Sequence, residues 1–470
     1  MDLVSLLSNA ANGLAAIQGK VATASNNIAN ANTPGYARQS ANLAEGIPSE
    51  LAGGRGFIGS GVVLNNVTQA RDDFVESQLP AAFSNSSSST AESDALASVS
   101  TFNNGVAGDL TDALGTYYSS LTALAQNAGD PSLRQSTVQA ASWLAATFNR
   151  TSVALEQART GVDASINGVV QQVNASLTQV GDLNRRISII EASGTQPNDL
   201  LDQRHNLMDQ IAQLVGATQV PDAYGNISMV LPDGTTLLSA SAAANLTMQA
   251  DVSNKGHLDI VFTPPDGSAP VVLGQGDLGG QIGGLLVARD GALGKASSDL
   301  DTLAYYFATT MNSQNRAGFT LDGNPGGDLF TVGTDPTNAA AVIACNPALS
   351  TDPSLVAAAR LSTTVPGDGS NAQLMAATQN APLPNGLDVT DGLAKIVADF
   401  GTAASNATDQ STFDKTVLQN LQDARASTSG VSVDDEMVGL MQAQHAFEAL
   451  AKVITTTESL LETLIQLKSP

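Results

Sequence analysis

The run Ala24-Ser-Asn-Asn-Ile-Ala-Asn-Ala-Asn-Thr-Pro-Gly-Tyr-Ala-Arg-Gln39 decides how the rest of the chain is read. Upstream of it, Leu3, Leu7, Ala10, Leu14, Ile17, Val21, Ala24 and Ile28 recur at alternating steps of four and three. That spacing is one seam of an α-helix, in the coiled-coil form. Asn32-Thr-Pro-Gly35 then stops the helix. The residue before Pro34 is pushed out of the α region, and Gly35 permits a turn.

The other end of the chain carries a second seam. Met437, Leu440, Phe447, Ala451, Ile454, Leu461 and Ile465 form one stripe, and Leu450, Val453, Leu460, Leu464 and Leu467 form another beside it. Two stripes are more than one partner helix can cover. The last helix is the natural partner of the first, and everything between is an excursion from that pair.

Asn26 to Tyr36 resembles the signature of flagellar rod, hook and hook-associated proteins. Asn198-Asp-Leu-Leu-Asp-Gln-Arg-His-Asn-Leu-Met-Asp-Gln-Ile-Ala-Gln-Leu-Val215 resembles the mid-chain helix of the hook-associated protein 1 family, the first of two hook–filament junction families. Gly279 to Leu286, Phe319 to Phe330 and the tail Ser429 to Leu467 resemble the same family. The likeness is weakest from about Tyr224 to Asp277.

Composition bounds the possibilities. At 470 residues the chain is too long for one ordinary core. Charged residues are 14% and aromatic residues 4%, so helix seams of Ala and Leu suit it better than aromatic-anchored cores. A net charge of −24 argues against a nucleic-acid surface or an anionic membrane surface. One cysteine, Cys345, excludes an intramolecular disulfide, and its neighbours Ala-Ala-Val-Ile-Ala suggest a small buried apolar residue. No stretch has the pattern of a cleaved signal peptide or a transmembrane helix.

The expected fold class is α+β, mainly α, with paired terminal helices, an elongated helical rod and an inserted β-rich piece. The expected divisions are 1–40 for the first assembly helix and its signature turn, 41–220 for the first part of the rod, 221–278 for the β-rich insertion, 279–430 for the second part of the rod, and 431–470 for the last assembly helix. Gly53 to Gly61 reads as a loop leading into a strand. The polar run Ser84 to Thr90 is either a linker or a solvated stretch of a long helix. Asp130 caps a helix with Pro131 at its first position, and Val162, Ile166, Val169, Val173, Val180, Leu183, Ile187 and Ile190 continue a seam. Ser132 to Glu191 would measure roughly 80–90 Å at 1.5 Å per residue, a rod element. Asp199 to Val215 folds back on it. The texture changes at Pro221, where turn signals Pro232-Asp-Gly and Pro265-Asp-Gly separate strand candidates. That insertion is expected to be removable without unfolding the rod. A turn-rich segment, 316–385, interrupts the second part. Ser432-x-x-Asp435 opens the last helix as a capping box, with Asp434, Asp435 and Glu436 suited to the helix dipole.

Chemical motifs are weak. Gly274-Gln-Gly-Asp-Leu-Gly279 matches G-x-G-x-x-G, but more glycines follow at once, so a hinge is preferred over nucleotide binding. Asp322 to Asp328 lacks the glutamate of an EF-hand. His205, His257 and His445 lie in three separate segments, none at metal-ligand spacing. No catalytic, cofactor or metal residue is expected, and the chain is not expected to be an enzyme. A flagellum-associated cell-wall hydrolase is the enzymatic alternative, and another axial protein is the structural one.

The resemblance implies a structural subunit at the hook–filament junction, exported uncleaved through the flagellar type III apparatus. It implies a secreted protein, cytoplasmic before export. The implied partners are further copies in a ring or helix, hook protein, the second junction protein, and an export chaperone on the C-terminal helix. The expected assembly interface is Leu3, Leu7, Leu14, Ile17, Val21, Ile28, Asn30, Pro34, Gly35 and Tyr36 at one end, and Phe447, Leu450, Ile454, Leu461 and Leu464 at the other.

Overall fold

In the computed structural model, residues 3–50, 57–99, 107–222 and 225–468 are described. The helices are α1 (Leu3–Ala29), α2 (Asp73–Ala97), α3 (Ala107–Gln126), α4 (Pro131–Glu191), α5 (Asn198–Val215), α6 (Gly280–Leu286), α7 (Gly294–Arg316), the short α8 (Ala339–Val342), α9 (Pro347–Thr351) and α10 (Ser370–Ala377), then α11 (Val389–Ser429) and α12 (Val433–Lys468). A π-helical turn, Val287–Leu293, joins α6 to α7.

The rod is organised on α4, 61 residues in one piece. The Asp130 carboxylate accepts from the Ser132 amide at 2.7 Å, and Pro131 occupies the first turn, where its missing N–H costs nothing. The seam expected from spacing is the buried face as far as Ile187, and Ile190 near the helix end is half-buried. Val162, Ile166, Val169, Val173, Val180, Leu183 and Ile187 are all at most 7% exposed. Each such side chain contributes about 1.5–3 kcal/mol on burial. α5 folds back against the end of α4, bringing Leu201 onto Leu183 and Ile187.

The serine run is neither linker nor solvated. It lies in mid-α2, and Ser86 and Ser89 are buried. It packs on α6, where a Cβ added at Gly284 would lie 1.9 Å from the Ser88 carbonyl oxygen. Ser84 Oγ accepts from the Gly280 amide at 2.9 Å. The glycines after residue 278 therefore serve a close helix crossing rather than a hinge, since only residues without a Cβ let the backbones approach this far.

The strands form small antiparallel sheets. β1 (Gln39–Glu45), β2 (Ser49–Glu50), β3 (Phe57–Ile58) and β4 (Val62–Gln69) pair as antiparallel strands, β4 being the strand expected after Gly61 and β3 lying within the stretch read as loop; β1 pairs with β4 from Gln39–Gln69 to Glu45–Val62, with a bulge at Asn42/Leu43. β5 (Thr218–Pro221), β6 (Ile227–Val230), β7 (Thr236–Ser239) and β8 (Ala242–Ala243) form one sheet, and β9 (Asn245–Ala250), β10 (Leu258–Thr263) and β11 (Val271–Leu273) another. The turns fall where Pro-Asp-Gly predicts them, with Gly234 and Gly267 at positive φ.

These sheets share a core with the rod. Met229, Leu238, Leu246, Ile260 and Phe262 belong to the same continuous core as Val169, Val173, Leu177 and Val180 of α4. The segment 316–385 contains three short helices and the two-residue strands β12 (Phe330–Thr331) and β13 (Ala344–Cys345), and it packs on the rod. Cys345 is half-buried, with burial raising its thiol pKa. The continuous core contains no residue of α1 or α12. The terminal helices form their own packing unit.

Candidate functional site

α1 and α12 lie against each other, as the paired seams predict. Two contacts fix an antiparallel register. Asn27 donates to Glu436 Oε1 at 2.9 Å, and Gly13 faces Leu450, whose Cδ1 would be 3.0 Å from an added Cβ. Both helices cover 14 residues between these contacts, from 13 to 27 and from 436 to 450. Extending that register places Leu3 beside Leu460. The last residues of α12 thus run past the described start of α1.

The covered face of α12 draws on both predicted stripes: Ala443 and Thr457 are buried, and Leu440, Leu450, Ile454 and Leu461 half-buried. Outside it, Phe447 is 37% exposed, Met437 48%, Met441 50%, Leu464 53% and Leu467 79%. On α1, small and polar residues are the buried ones: Ala10, Ala16, Thr23, Ala24 and Asn27. Leu3, Leu7, Leu14, Ile17, Val21 and Ile28 are only half-buried. Gly19 faces Leu64 of β4, which covers a second side of α1.

The signature turn forms a polar joint between this pair and the rod. Asn27, 1% exposed, makes four hydrogen bonds. Its amide donates to the Gln39 carbonyl (2.8 Å) and to Glu436; its oxygen accepts from the Gln39 amide (2.9 Å) and the Tyr36 hydroxyl (2.8 Å). All its hydrogen-bonding capacity is used. Tyr36 stays a donor: burial, with the charges of Asp202, Asp199 and Glu436, pushes its pKa up to about 12. Asn30 binds back to Asn26, accepts from Thr33 and closes the helix end locally.

Gly35 adopts φ +75, and a Cβ there would lie 1.7 Å from Asn206 Oδ1, so glycine is required on two counts. Asn206 donates to the Pro34 carbonyl at 3.2 Å, although Pro34 itself is exposed. Two of the stretches carrying the family resemblance, 26–36 and 198–215, therefore meet in space.

Beneath the turn runs a chain of charges that sequence reading missed. Arg71 contacts Asp202 (2.5 Å) and Glu76 (3.3 Å); Arg425 contacts Glu76 (2.5 Å) and Asp209 (2.8 Å). Burial raises the carboxyl pKa values of Asp202 and Asp209 against the opposing pull of their arginines. Burial also lowers His205 to about 4, so its ring is neutral. The Ser429 carbonyl accepts from the Arg38 amide at 2.8 Å, tying the end of α11 to the start of β1. Glu436, read as a dipole residue, is a partner of Asn27; Ser432 does cap α12, its Oγ accepting from the Asp435 amide at 3.3 Å. The available signal was scarcity. In a chain with few charges, Arg71 and Glu76 stand at the start of α2, Asp202 and Asp209 within α5, and Arg425 near the end of α11.

The joint holds helices together, and the α1–α12 pair beside it exposes apolar side chains. Among the described residues, no group of three or more His, Cys, Asp or Glu could hold a metal ion, and no helix is long and apolar enough to cross a membrane.

Residues 97–330 match the family model for the flagellar hook-associated protein FlgK helical domain. Residues 7–36 match the flagella basal body rod protein model, and 422–467 the flagellar basal body rod FlgEFG protein C-terminal model. Flagellar hook-associated protein 1 of Escherichia coli K12 is 26% identical over 99% of this chain and 100% of its own length. The Bacillus subtilis protein of that name is 28% identical over 98% and 97%, and the Salmonella typhimurium one 31% identical over 70% and 60%. The hook junction protein FlgK of Burkholderia pseudomallei has a similar fold, with a TM-score of 0.66 at 21% identity, covering 76% of this chain and 100% of that one. With end-to-end relatives of one name, and with models for both termini and the rod matched in order along it, the chain belongs to the flagellar hook-associated protein 1 family.

Proposed function

We infer that this chain is a structural subunit of the flagellar axis at the junction between hook and filament, and that the uncovered side of the α1–α12 pair is its polymer contact. One observation carries the second half. The α4 seam from Val162 to Ile187 is at most 7% exposed, whereas the large seam residues of α1 are half-buried and the apolar end of α12 is largely open. Neither helix joins the main core. Contiguous apolar surface on an otherwise well-packed chain marks an interaction site.

The partners this reading assigns are neighbouring copies, hook protein on one side and the second junction protein on the other. Before export, a chaperone groove would take the same end of α12 as an amphipathic helix. Export through the flagellar type III apparatus and a final place outside the cell follow from the family. Leu464 and Leu467 are the residues to change, because they are exposed and lie beyond the stretch of α12 that α1 covers. The double variant Leu464→Asp, Leu467→Asp should keep the helix content of the wild type and, added as purified protein, fail to join hook tips. Normal incorporation of the folded variant would remove α12 from the interface.

A further inference from the structure

A cluster of charges, buried at Asp163, His257 and Arg289 and open at Lys255, lies along α4, apart from the joint. Glu156, Arg159 and Asp163 project from α4, Arg289 and Asp290 from the π-helical turn, and Asp301 from α7. Lys255 and His257 come from the connection between β9 and β10, and Asp259 from β10. His257 is 5% exposed. Its Nδ1 lies 2.7 Å from Asp163 Oδ2, and its Nε2 lies 3.0 Å from Glu156 Oε2.

The other cations fill the remaining carboxylate positions. Arg289 donates to Asp163 Oδ1 (2.6 Å), Asp290 Oδ2 (2.7 Å) and the Leu258 carbonyl (2.6 Å). Arg159 lies 3.4 Å from both Glu156 and Asp290 and donates to Asn254 Oδ1 at 2.6 Å. Lys255 reaches Glu156 (3.3 Å), Asp301 (3.1 Å) and Ser297 (3.2 Å). Asp301 also accepts from the Ala340 amide at 3.0 Å.

Two features bear on the imidazole. A neutral ring has one donor and one acceptor nitrogen, so one of its two carboxylates would face a lone pair; a doubly protonated ring donates to both. Among the ion-paired groups, the four carboxylates Glu156, Asp163, Asp290 and Asp301 meet the three cations Arg159, Lys255 and Arg289, which leaves one negative charge for an imidazolium at His257 to match. Asp259 adds a further negative charge nearby, which also favours the charged ring.

We propose that the His257 imidazolium is a pH-dependent latch that fastens the β9–β11 sheet to α4. With the proton in place, the ring bridges Asp163 and Glu156 and holds the β9–β10 connection down. When the proton leaves to solvent, one charge-assisted bond is lost and four carboxylates face three cations. The imbalance is costly at the buried Asp163, and the exposed side of the connection, at Lys255, is where the cluster gives way.

The test uses the full chain. Ring-nitrogen NMR reports the state of His257 directly, since the chain has only three histidines. His445 is exposed on α12 and serves as control, and His205 is neutral across the range. Hydrogen exchange over 245–263, corrected for intrinsic rates, is compared at about pH 5.5 and about pH 8.5. Wild type and His445→Gln should both open roughly tenfold more readily at the higher pH, the scale of one charge-assisted bond. His257→Gln should show no such difference. A singly protonated His257 ring at about pH 5.5, or an unchanged pH dependence in His257→Gln, would overturn the proposal. If that variant does not fold, the ring spectrum and the exchange of the wild type decide the matter.

Discussion

Asn27→Ala is the sharpest perturbation of the joint. The side chain is 1% exposed and holds four partners: both backbone groups of Gln39, the Tyr36 hydroxyl and the Glu436 carboxylate. Three neutral bonds and one charged bond amount to about 3–7 kcal/mol if nothing relaxes. Tyr36 and Glu436 are half-buried and can turn to water, which brings the expected loss to about 3–4 kcal/mol. The loss falls on one unit, because α1 and α12 share no core with the rod. Hydrogen exchange on the monomer should then show α1, β1 and α12 losing protection by two orders of magnitude or so, at about 1.4 kcal/mol per tenfold, while α4 is unchanged. Unchanged protection of α1 and α12 in a folded Asn27→Ala chain would refute the view that this residue joins pair and rod.

Gly284→Val should separate α2 from α6, because even its Cβ meets the Ser88 carbonyl; a loss of about 2–3 kcal/mol in urea unfolding is expected. Asp202→Ala leaves Arg71 with Glu76 alone in a mostly buried place, and about 2–4 kcal/mol should be lost, read as raised exchange at the start of α5. In the charge cluster, burial raises the Glu156 carboxyl, but bonds from His257 and Ser297 and the charges of Arg159 and Lys255 outweigh it and hold the pKa at about 2 against a usual 4.5. A depressed carboxyl adds stability that is full above about pH 4.5 and is lost as pH falls toward 2, so Glu156→Gln should flatten that part of the acid-unfolding curve.

What was legible in the sequence is what local rules govern. Asp130-Pro131 and the heptad run to Ile187 specify α4, because cap and seam lie within one helix. The Asn27–Glu436 bond spans 409 residues, and no spacing rule connects its ends. The Arg71–Asp202 and Arg425–Glu76 pairs are hidden for the same reason. The serine run misled because serine carries no apolar period; its meaning lies in the glycines it packs on, nearly 200 residues away. The β-sheets were legible as strands and turns but not as part of the α4 core, since alternation says which residues are buried and not against what. On α12 both apolar stripes were visible, and the covered face took members of each because the pair's register is set at Asn27 and Gly13.

Cysteine accessibility before and after assembly tests the central claim most directly. In a Cys345→Ser background, single cysteines would replace Met441 and Leu464, which are 50% and 53% exposed in the isolated chain. A Ser268→Cys chain, altered at the exposed Pro265-Asp-Gly turn, is the reference. All three should react with a soluble maleimide at similar rates as monomers. In isolated hook–filament assemblies, the account predicts that positions 441 and 464 are protected by at least tenfold relative to 268. Equal labelling of all three in monomer and assembly, with the variants incorporated, would contradict it.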